Sequence, residues 1–354
     1  MLVNVDKYTL LFQTFCIFPN QKFIVRRLST RLNRKPVVVV PIPFNPPPSQ
    51  HHQFWYSRTR TAIITTAEWK PEGLMQSIVE EKWKEVEELK NSLDARRDGP
   101  LGLRLEYFAE QQIPKLVKKL KSCKGRLKVV GDVKRTTYGT KPKQKLEIAD
   151  IINPRKTAKT LLDGGVDILS VAVDYVCYSG TYIDLKETVE LVNTLEGEQS
   201  IPVICKDIVV HPLQVAAAKE AGADAVLLIA CACLPDLPEL LNAATIVGLD
   251  AIVECHQEWE CEYAMEHGAT ALLLSNRNRV DGEMYMGTAE RLRGMVPNMI
   301  ATIAGGGIET REEAYSIQDA GFDAVMIGRS LFRPSGMQLL RDIQQRIIQE
   351  SLFF

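Results

Sequence analysis

The stretch Gly222–Ile229 (GADAVLLI) decides the fold, because it joins the end of a helix to a buried strand within eight residues. Its glycine suits the residue after a helix, where the chain turns with positive φ. The apolar run that follows does not alternate, which is typical of parallel strands covered on both faces. The pattern occurs three more times, at Gly165–Val171, Gly268–Leu274 and Gly321–Gly328. The repetition predicts a parallel sheet flanked by helices.

Four further apolar segments complete a set of eight strands. They are predicted at Lys128–Val133, Pro202–Asp207, Ala251–Cys255 and Met299–Ala304. Helices are predicted at Pro154–Asp163, Leu185–Leu195, Pro212–Ala221, Pro235–Val247, Gln257–His267, Thr288–Met295 and Thr310–Ala320. Eight strand–helix units in roughly 250 residues are typical of an α/β protein with a (β/α)8 TIM barrel. An open doubly wound sheet is the alternative, but no G-x-G-x-x-G follows the first strand.

Two segments precede the first strand. Gly73–Leu93 carries one apolar stripe at helical spacing, formed by Met75, Ile78, Val79, Val86 and Leu89. It predicts an extra N-terminal helix that packs on the barrel. The basic run Lys115–Lys128 could meet RNA, but no aromatic residues interleave with its charges, so a solvated helix face is favoured and no nucleic-acid partner is expected.

Residues 1–67 differ from the rest of the chain in charge. They hold nine lysines and arginines and a single acid, Asp6, which is the bias of an organellar transit peptide. The proline-rich tract Pro36–Pro48 favours a linker over a core. We therefore predict a transit peptide and linker at 1–67 and the barrel at 68–354. A leader that stays attached is the alternative, and composition alone does not separate chloroplast from mitochondrion.

The whole composition is that of an ordinary globular protein, with 45% hydrophobic residues and a net charge of −1. No apolar run reaches the roughly 18 residues of a membrane span, so no membrane partner is expected. The eight cysteines form no CxxC pair, which favours buried thiols over disulfides. Cys231-Ala-Cys233 could be a redox or metal site, but apolar packing is favoured. No metal or cofactor is predicted.

Glycines cluster where the last two strands end. Gly305-Gly306-Gly307 follows the seventh strand, and Gly328-Arg329-Ser330 follows the eighth. Barrels of this kind bind phosphate on these two loops, through backbone N–H groups that glycine leaves unobstructed. The pattern predicts a phosphate site, with two ordinary tight turns as the alternative.

Charged residues mark the ends of other strands, where barrels of this type carry their catalytic groups. Asp132 and Lys134 end the first strand, Lys206 the third and Glu254 the fifth. A lysine inside an apolar strand is costly to bury unless it is paired or used, and its disfavoured charge suits a general acid. Glu254 is predicted as the matching acceptor of Lys206. A purely structural Lys206–Glu254 ion pair is the alternative.

Five motifs, in order and spacing, resemble the strand motifs of indole-3-glycerol phosphate synthase. They are Lys128–Arg135 (KVVGDVKR), Pro202–Asp207 (PVICKD), Gly222–Ala230 (GADAVLLIA), Ile252–His256 (IVECH) and Asn276–Asn278 (NRN). Ile78–Leu89 (IVEEKWKEVEEL) also resembles that family's N-terminal helix, and the similarity covers about residues 73–335. The resemblance implies a plant-type, plastid-targeted but divergent member, in the chloroplast stroma rather than the mitochondrion.

The family converts a carboxyphenylamino-deoxyribulose phosphate into an indole with loss of CO2 and water, so a phosphorylated small molecule is the expected substrate. The resemblance implies that Lys206 is the general acid and Glu254 the general base. Lys134 would hold the substrate carboxylate or donate a proton.

The same resemblance assigns the remaining pocket residues. It implies that the phosphate is bound at Gly307, Gly328 and Ser330, and that the adjacent Arg329 binds the substrate. Ser275 and Arg277 would complete the substrate site.

This chain departs from the family pattern at four places. The family's glutamate after the first strand is Asp132, and its Ser-Pro-Ser stretch is Thr137-Tyr138-Gly139. Ser275 stands for an asparagine, and Gly305-Gly306 stands for a glutamate–serine pair. Three hypotheses follow: an active synthase, a catalytically impaired paralogue that binds a phosphate ligand for a regulatory or assembly role, and an enzyme acting on another phosphorylated sugar.

Overall fold

The computed structural model describes residues 70–107, 115–122, 125–141, 143–195 and 201–346, and the backbone of three strands within residues 2–28. The chain divides into two units, Met1–Ile63 and Ile64–Phe354. In the first unit, strands β1 (Leu2–Val5), β2 (Tyr8–Phe18) and β3 (Gln21–Leu28) form an antiparallel sheet, which the sequence analysis did not predict. The proline-rich tract lies outside the described residues, and the transit peptide stays a prediction.

The second unit is a closed barrel of eight parallel strands, which confirms the predicted (β/α)8 fold. Its strands are β4 (Lys128–Val133), β7 (Ile168–Ala172), β8 (Val203–Lys206), β9 (Ala225–Ile229), β10 (Asp250–Cys255), β11 (Ala271–Ser275), β12 (Ala301–Gly305) and β13 (Ala324–Ile327). The barrel closes where β13 pairs with β4. The short strands β5 (Thr136–Tyr138) and β6 (Lys145–Glu147) form a separate hairpin after β4.

All seven helices predicted between strands are present, with ends shifted by up to three residues. The described helices are α1 (Leu74–Asn91), α2 (Pro100–Glu106), α3 (Lys115–Lys121), α4 (Pro154–Asp163), α5 (Tyr175–Tyr178), α6 (Tyr182–Leu195), α7 (Pro212–Glu220), α8 (Ala230–Cys233), α9 (Leu237–Val247), α10 (Glu258–Glu266), α11 (Thr288–Arg293), α12 (Arg311–Asp319) and α13 (Gly336–Gln345). Their starts follow local rules: the Asn153 side chain accepts a hydrogen bond from Lys156 N, and Pro154 opens α4. Within the described residues, we find no helix with the length and apolarity to cross a bilayer.

The core has two layers, which explains the unbroken apolar strands. Alternate strand residues such as Ile204, Leu227 and Ile252 fill the inside of the barrel. Their neighbours pack outward against the surrounding helices. Six cysteines, Cys177, Cys205, Cys231, Cys233, Cys255 and Cys261, are buried and free, as predicted for thiols of the described barrel.

Helix α3 closes the end of the barrel where the strands begin. Leu116 and Leu120 are fully buried against the inner layer, and Leu116 N donates to the Asp250 carboxylate at 2.8 Å. In the basic run, Lys121 pairs with Asp323 at 2.8 Å, and Lys128 is buried. The other face of the helix is solvated, as predicted for the basic run, since Lys115 and Lys118 are exposed. The leucines among the lysines of this run close the barrel.

Helix α1 packs on the barrel as the predicted extra helix. Met75, Val79 and Val86 of its apolar stripe are buried. Its buried Lys82 reaches Asp174 Oδ2 at 2.5 Å and Asp207 Oδ1 at 3.0 Å, which ties the helix to loops after β7 and β8. The helix therefore supports the end of the barrel where the strands finish.

Candidate active site

One cavity of about 330 Å³ opens where the barrel strands end. All ten residues predicted for the site line it: Asp132, Lys134, Lys206, Glu254, Ser275, Arg277, Gly307, Gly328, Arg329 and Ser330. They converge because the carboxyl ends of parallel strands meet on one face of a barrel. The roles that the resemblance gives these residues stay predictions.

Asp132 is the centre of the first charge cluster. Its Oδ2 accepts from Lys134 Nζ at 2.6 Å and from Lys206 Nζ at 2.8 Å, and its Oδ1 accepts from Ser170 Oγ at 3.2 Å. Lys206 Nζ also lies 5.4 Å from the centre of the Tyr178 ring. Two ammonium groups thus share one buried carboxylate, which leaves one positive charge uncompensated within the cluster.

The protonation of this cluster follows from burial and close charges. Burial opposes ionisation of Asp132, but Lys134 and Lys206 outweigh it and hold the pKa of Asp132 below its ordinary value. Burial, and then repulsion by Lys206, lower the pKa of Lys134 to about 8. The attraction of Asp132 raises this pKa and offsets only part of the two effects. Lys134 is therefore poised to exchange a proton near neutral pH.

Glu254 does not pair with Lys206, so the predicted Lys206–Glu254 contact is wrong. Its two oxygens instead accept from Arg279, with Nε to Oε1 at 2.5 Å and Nη2 to Oε2 at 2.6 Å. The reason is geometric: Lys206 is already bound to Asp132, and Arg279 reaches Glu254 from the loop after β11. The interaction is a buried, bidentate guanidinium–carboxylate pair.

The Arg279 guanidinium and its surroundings set the charge of Glu254. Burial opposes ionisation of Glu254, but Arg279 and His256 outweigh it and hold its pKa well below the ordinary range. Arg279 Nη1 also donates to the hydroxyls of Tyr138 and Tyr178, at 3.0 and 3.1 Å. Glu254 is thus a fixed anion, and a carboxylate so stabilised is a weak proton acceptor.

Arg277 and Ser275 occupy the neighbouring loop. Ser275 Oγ bonds the backbone of its own turn, accepting from Arg277 N at 3.1 Å. The Arg277 guanidinium donates to Thr137 Oγ1 at 3.4 Å and to Tyr138 O at 2.5 Å. Its buried Nε has no hydrogen-bond partner, and burial lowers the pKa of the guanidinium. Arg277 thus lines the cavity as a cation that no carboxylate neutralises in the described part of the chain.

The glycine loops form the opposite wall of the cavity. Gly306 and Gly307 have φ of 88° and 77°, so a side chain at either would be strained. A Cβ at Gly307 would also meet Met284 and Met286 below 3.0 Å. Ser330 Oγ donates to Ile308 O at 2.8 Å, which joins the two loops predicted to bind phosphate. A Cβ at Gly328 would lie 3.4 Å from Lys134 Nζ, so the loop approaches the charge cluster closely.

Among the charged cavity-lining residues that are not exposed, the cations outnumber the anions by two, and the exposed Arg329, Glu283 and Glu309 reduce the excess to one. The unexposed cations are Lys134, Lys206, Arg277 and Arg279, and the unexposed anions are Asp132 and Glu254. Such an excess in a partly buried pocket favours a ligand with two negative charges or more. A small molecule with a carboxylate and a phosphate fits that requirement.

We expect the rate constant kcat/KM to fall as the pH rises through about 8, the pKa of Lys134. Above this pH the ammonium is lost, and with it the charge or proton that the anionic substrate requires. Measuring kcat/KM from pH 6 to 10 checks this. In Lys134→Arg the guanidinium stays charged over the whole range, so the alkaline limb should disappear from the residual activity. An unchanged limb in that variant would assign the titration to another group.

Arg279 is the residue of this site that sequence reasoning missed. It lies two positions after Arg277 in the segment Arg277–Arg279 (RNR), just past the motif that was recognised. A second arginine at this spacing is a signal for a second cation facing the pocket. Its partner, Glu254, is 25 residues away, so the pairing needs the fold.

Comparison with known proteins gives one consistent family. The family model "Indole-3-glycerol phosphate synthase" matches residues 75–342. The synthase of Chlorobium phaeovibrioides is 30% identical over 258 residues, which is 73% of this chain and 93% of that protein. The synthase of Bacillus cereus is 33% identical over 213 residues, covering 59% of this chain and 79% of the relative.

Two solved structures resemble the barrel at low identity. Thiamine phosphate pyrophosphorylase from Pyrococcus furiosus aligns with a TM-score of 0.46 at 16% identity, covering 64% of this chain and 95% of that one. The N-acetylmannosamine-6-phosphate 2-epimerase from Clostridium perfringens aligns with a TM-score of 0.47 at 16% identity, covering 65% and 96%.

Proposed function

Since the chain belongs to the indole-3-glycerol phosphate synthase family, a family of lyases in tryptophan biosynthesis, we propose that it closes the indole ring of carboxyphenylamino-deoxyribulose phosphate. The observation that carries the proposal is the Asp132 cluster, in which two ammonium groups face the same cavity. The excess of positive charge suits a substrate with a carboxylate and a phosphate. No metal or redox cofactor enters the proposed reaction.

The chemistry assigns two proton transfers to the lysines. When the aromatic carbon attacks the carbonyl carbon, the carbonyl oxygen takes a proton from Lys206 and becomes a hydroxyl. The carboxylate leaves as CO2, and the hydroxyl then leaves as water after accepting a second proton, for which Lys134 is poised. As water leaves, a base removes a proton from the neighbouring methylene carbon, the one bound to nitrogen, and the indole forms. The resemblance gives this role to Glu254.

A catalytically impaired paralogue is the second candidate, and the Arg279–Glu254 pair favours it. Both oxygens of Glu254 are occupied by one guanidinium, so the proposed base is held ionised and poorly basic. Such a chain would keep the cavity and bind a phosphate ligand in a regulatory or assembly role. An enzyme for another phosphorylated sugar would keep the same phosphate loops.

Complementation separates these candidates. Residues 68–354 would be expressed in a bacterium that lacks its own indole-3-glycerol phosphate synthase, and growth without tryptophan would be scored. Growth that depends on Lys206 supports the synthase, with Lys206→Met as the matched control. Absence of growth from a folded, well-expressed chain, together with no indole fluorescence from the purified protein, would leave the impaired paralogue or another sugar phosphate.

Phosphate binding gives a prediction that holds for every candidate. Inorganic phosphate or glycerol 3-phosphate should raise the melting temperature, because a ligand that binds only the folded state stabilises it, by about 2.7 kcal/mol at a hundredfold excess over Kd. Gly328→Asp should abolish the shift, since it adds a carboxylate beside Asp132. Gly294→Asp is the control, because Gly294 is exposed and outside the cavity. An equal shift in both variants would exclude the proposed loops.

The proposed location is the chloroplast stroma, supported by the basic, nearly acid-free composition of residues 1–67. A fluorescent protein fused after residue 67 should accumulate in chloroplasts. The same fusion after removal of residues 1–60 should stay in the cytosol. Delivery to mitochondria, or cytosolic retention of the full fusion, would reject the assignment.

A further inference from the structure

Three side chains with metal-binding chemistry converge behind the substrate cavity. Cys231 lies in α8, directly after β9; His256 follows β10; and Glu260 is in the first turn of α10. All three are buried, with exposed fractions of 8%, 6% and 2%. None of them lines the substrate cavity, so the proposed ring closure does not use them.

The spacing of these atoms suits a small tetrahedral ion. One ligand atom from each residue lies within 4.8 Å of the other two. His256 Nδ1 is 3.3 Å from Glu260 Oε2. Zinc bonds of about 2.0–2.1 Å to nitrogen and oxygen at a tetrahedral angle place such a pair roughly 3.3 Å apart. A small movement of the Cys231 side chain towards His256 and Glu260 would bring all three ligand atoms within bonding distance of one ion.

The hydrogen bonds around His256 resemble those of a histidine that binds a metal ion. His256 Nε2 faces Glu254 Oε1 at 3.1 Å, and Glu254 is held in turn by Arg279. A metal-bound histidine commonly donates its second ring N–H to a carboxylate, which fixes the tautomer and directs the other nitrogen to the ion. Here that arrangement leaves Nδ1 directed towards Glu260. The Glu260 carboxylate is also fixed, because it accepts from His256 N at 2.5 Å.

We propose that Cys231, His256 and Glu260 form a binding site for a divalent transition-metal ion of the zinc type. A thiolate, an imidazole and a carboxylate suit zinc, whereas magnesium and calcium prefer oxygen ligands alone. Three protein ligands leave the fourth position to water. Binding releases the thiol proton of Cys231 and any proton on Nδ1 of His256. The close cysteine pair is thus not the site, because Cys233 does not belong to the cluster.

The site lies one side chain away from the substrate cavity. Glu254 lines the cavity and contacts His256 on its other side. An ion at Nδ1 would keep the His256 ring oriented towards Glu254.

The experiment uses the untagged full chain, freed of metal with a chelator, then loaded with Zn²⁺ or Co²⁺ and desalted. We expect one ion per chain by elemental analysis and, for Co²⁺, the near-ultraviolet charge-transfer band of a thiolate ligand. Cys231→Ser should remove that band and weaken Zn²⁺ binding by about 10-fold or more. Zn²⁺ should also raise the melting temperature of the unmodified chain more than that of this variant.

Cys233→Ser is the matched control, because Cys233 is also a buried free thiol, two residues away and outside the cluster. It should keep the bound ion and the charge-transfer band. Two results would overturn the proposal. One is less than one tightly bound ion per chain in the unmodified protein. The other is a Co²⁺ spectrum that Cys231→Ser leaves unchanged or that both variants lose equally.

Discussion

Replacing Lys206 by methionine is expected to lower the rate of indole formation by about 100-fold or more, the usual scale for one general acid. Methionine keeps the length and apolar stem of the side chain while removing the proton donor. The free energy of unfolding should change little, because Asp132 keeps Lys134 as its partner at 2.6 Å. Indole fluorescence in single-turnover and steady-state assays measures the first effect, and denaturant unfolding measures the second.

Lys82→Met is the matched control for that experiment. Lys82 is also a buried lysine bound to carboxylates, but its partners are Asp174 and Asp207 and it does not line the cavity. Its loss should reduce stability and leave kcat close to that of the unmodified protein. If Lys206→Met keeps most of the turnover, Lys206 is not the general acid. If the unmodified protein has no turnover above buffer, the synthase proposal itself fails.

Replacing Arg279 by methionine is expected to lower the free energy of unfolding by about 3–5 kcal/mol, because it leaves a buried carboxylate without its main counter-charge. The double variant Arg279→Met with Glu254→Gln should recover much of that loss, since the orphaned charge is removed as well. Arg277→Met is the control. Arg277 bonds a hydroxyl and a carbonyl, and no ion pair joins it in the described part of the chain, so its loss should cost far less. Denaturant titration of the unmodified protein, of the single variants Arg279→Met and Glu254→Gln, and of the double variant completes the cycle.

The pH dependence of the pair has a definite sign. The pKa of Glu254 is lower in the folded state than its ordinary value. Its contribution to stability is therefore fully present above about pH 4.3, the unfolded value, and is lost as the pH falls. Glu254→Gln should flatten this acid limb of the stability curve. Equal stability of Arg279→Met and the unmodified chain at pH 7 would contradict the importance of the pair.

Arg279→Met is also expected to change the turnover number. A Glu254 freed from Arg279 becomes a stronger base, so Arg279→Met should have a higher kcat than the unmodified chain wherever the variant stays folded. That outcome would identify Arg279 as the cause of an impaired site. A lower kcat would instead place Arg279 among the groups that position Glu254 for an active enzyme.

The four glycine–strand units, together with four further apolar segments, were sufficient to predict the barrel, its eight strands and the seven helices between them. Each unit can be recognised from its own residues. The glycine marks a helix end with positive φ, and the apolar run marks a strand that is covered on both faces. The short helix Tyr175–Tyr178 and the hairpin of Thr136–Tyr138 with Lys145–Glu147 were not predicted. Segments of three or four residues hold too little periodicity to be recognised, and tertiary contacts decide them.

The sequence by itself also determined which residues share the cavity, since the ends of all parallel strands must meet on one face of a closed barrel. Only the tertiary structure decided how the charges pair. Lys206 binds Asp132, 74 residues away, and Glu254 binds Arg279, which sequence reasoning had not selected. Which charges pair depends on the order of the strands in the barrel and on which cationic side chain lies within contact distance of each buried carboxylate. Those are properties of the assembled barrel and not of any single segment.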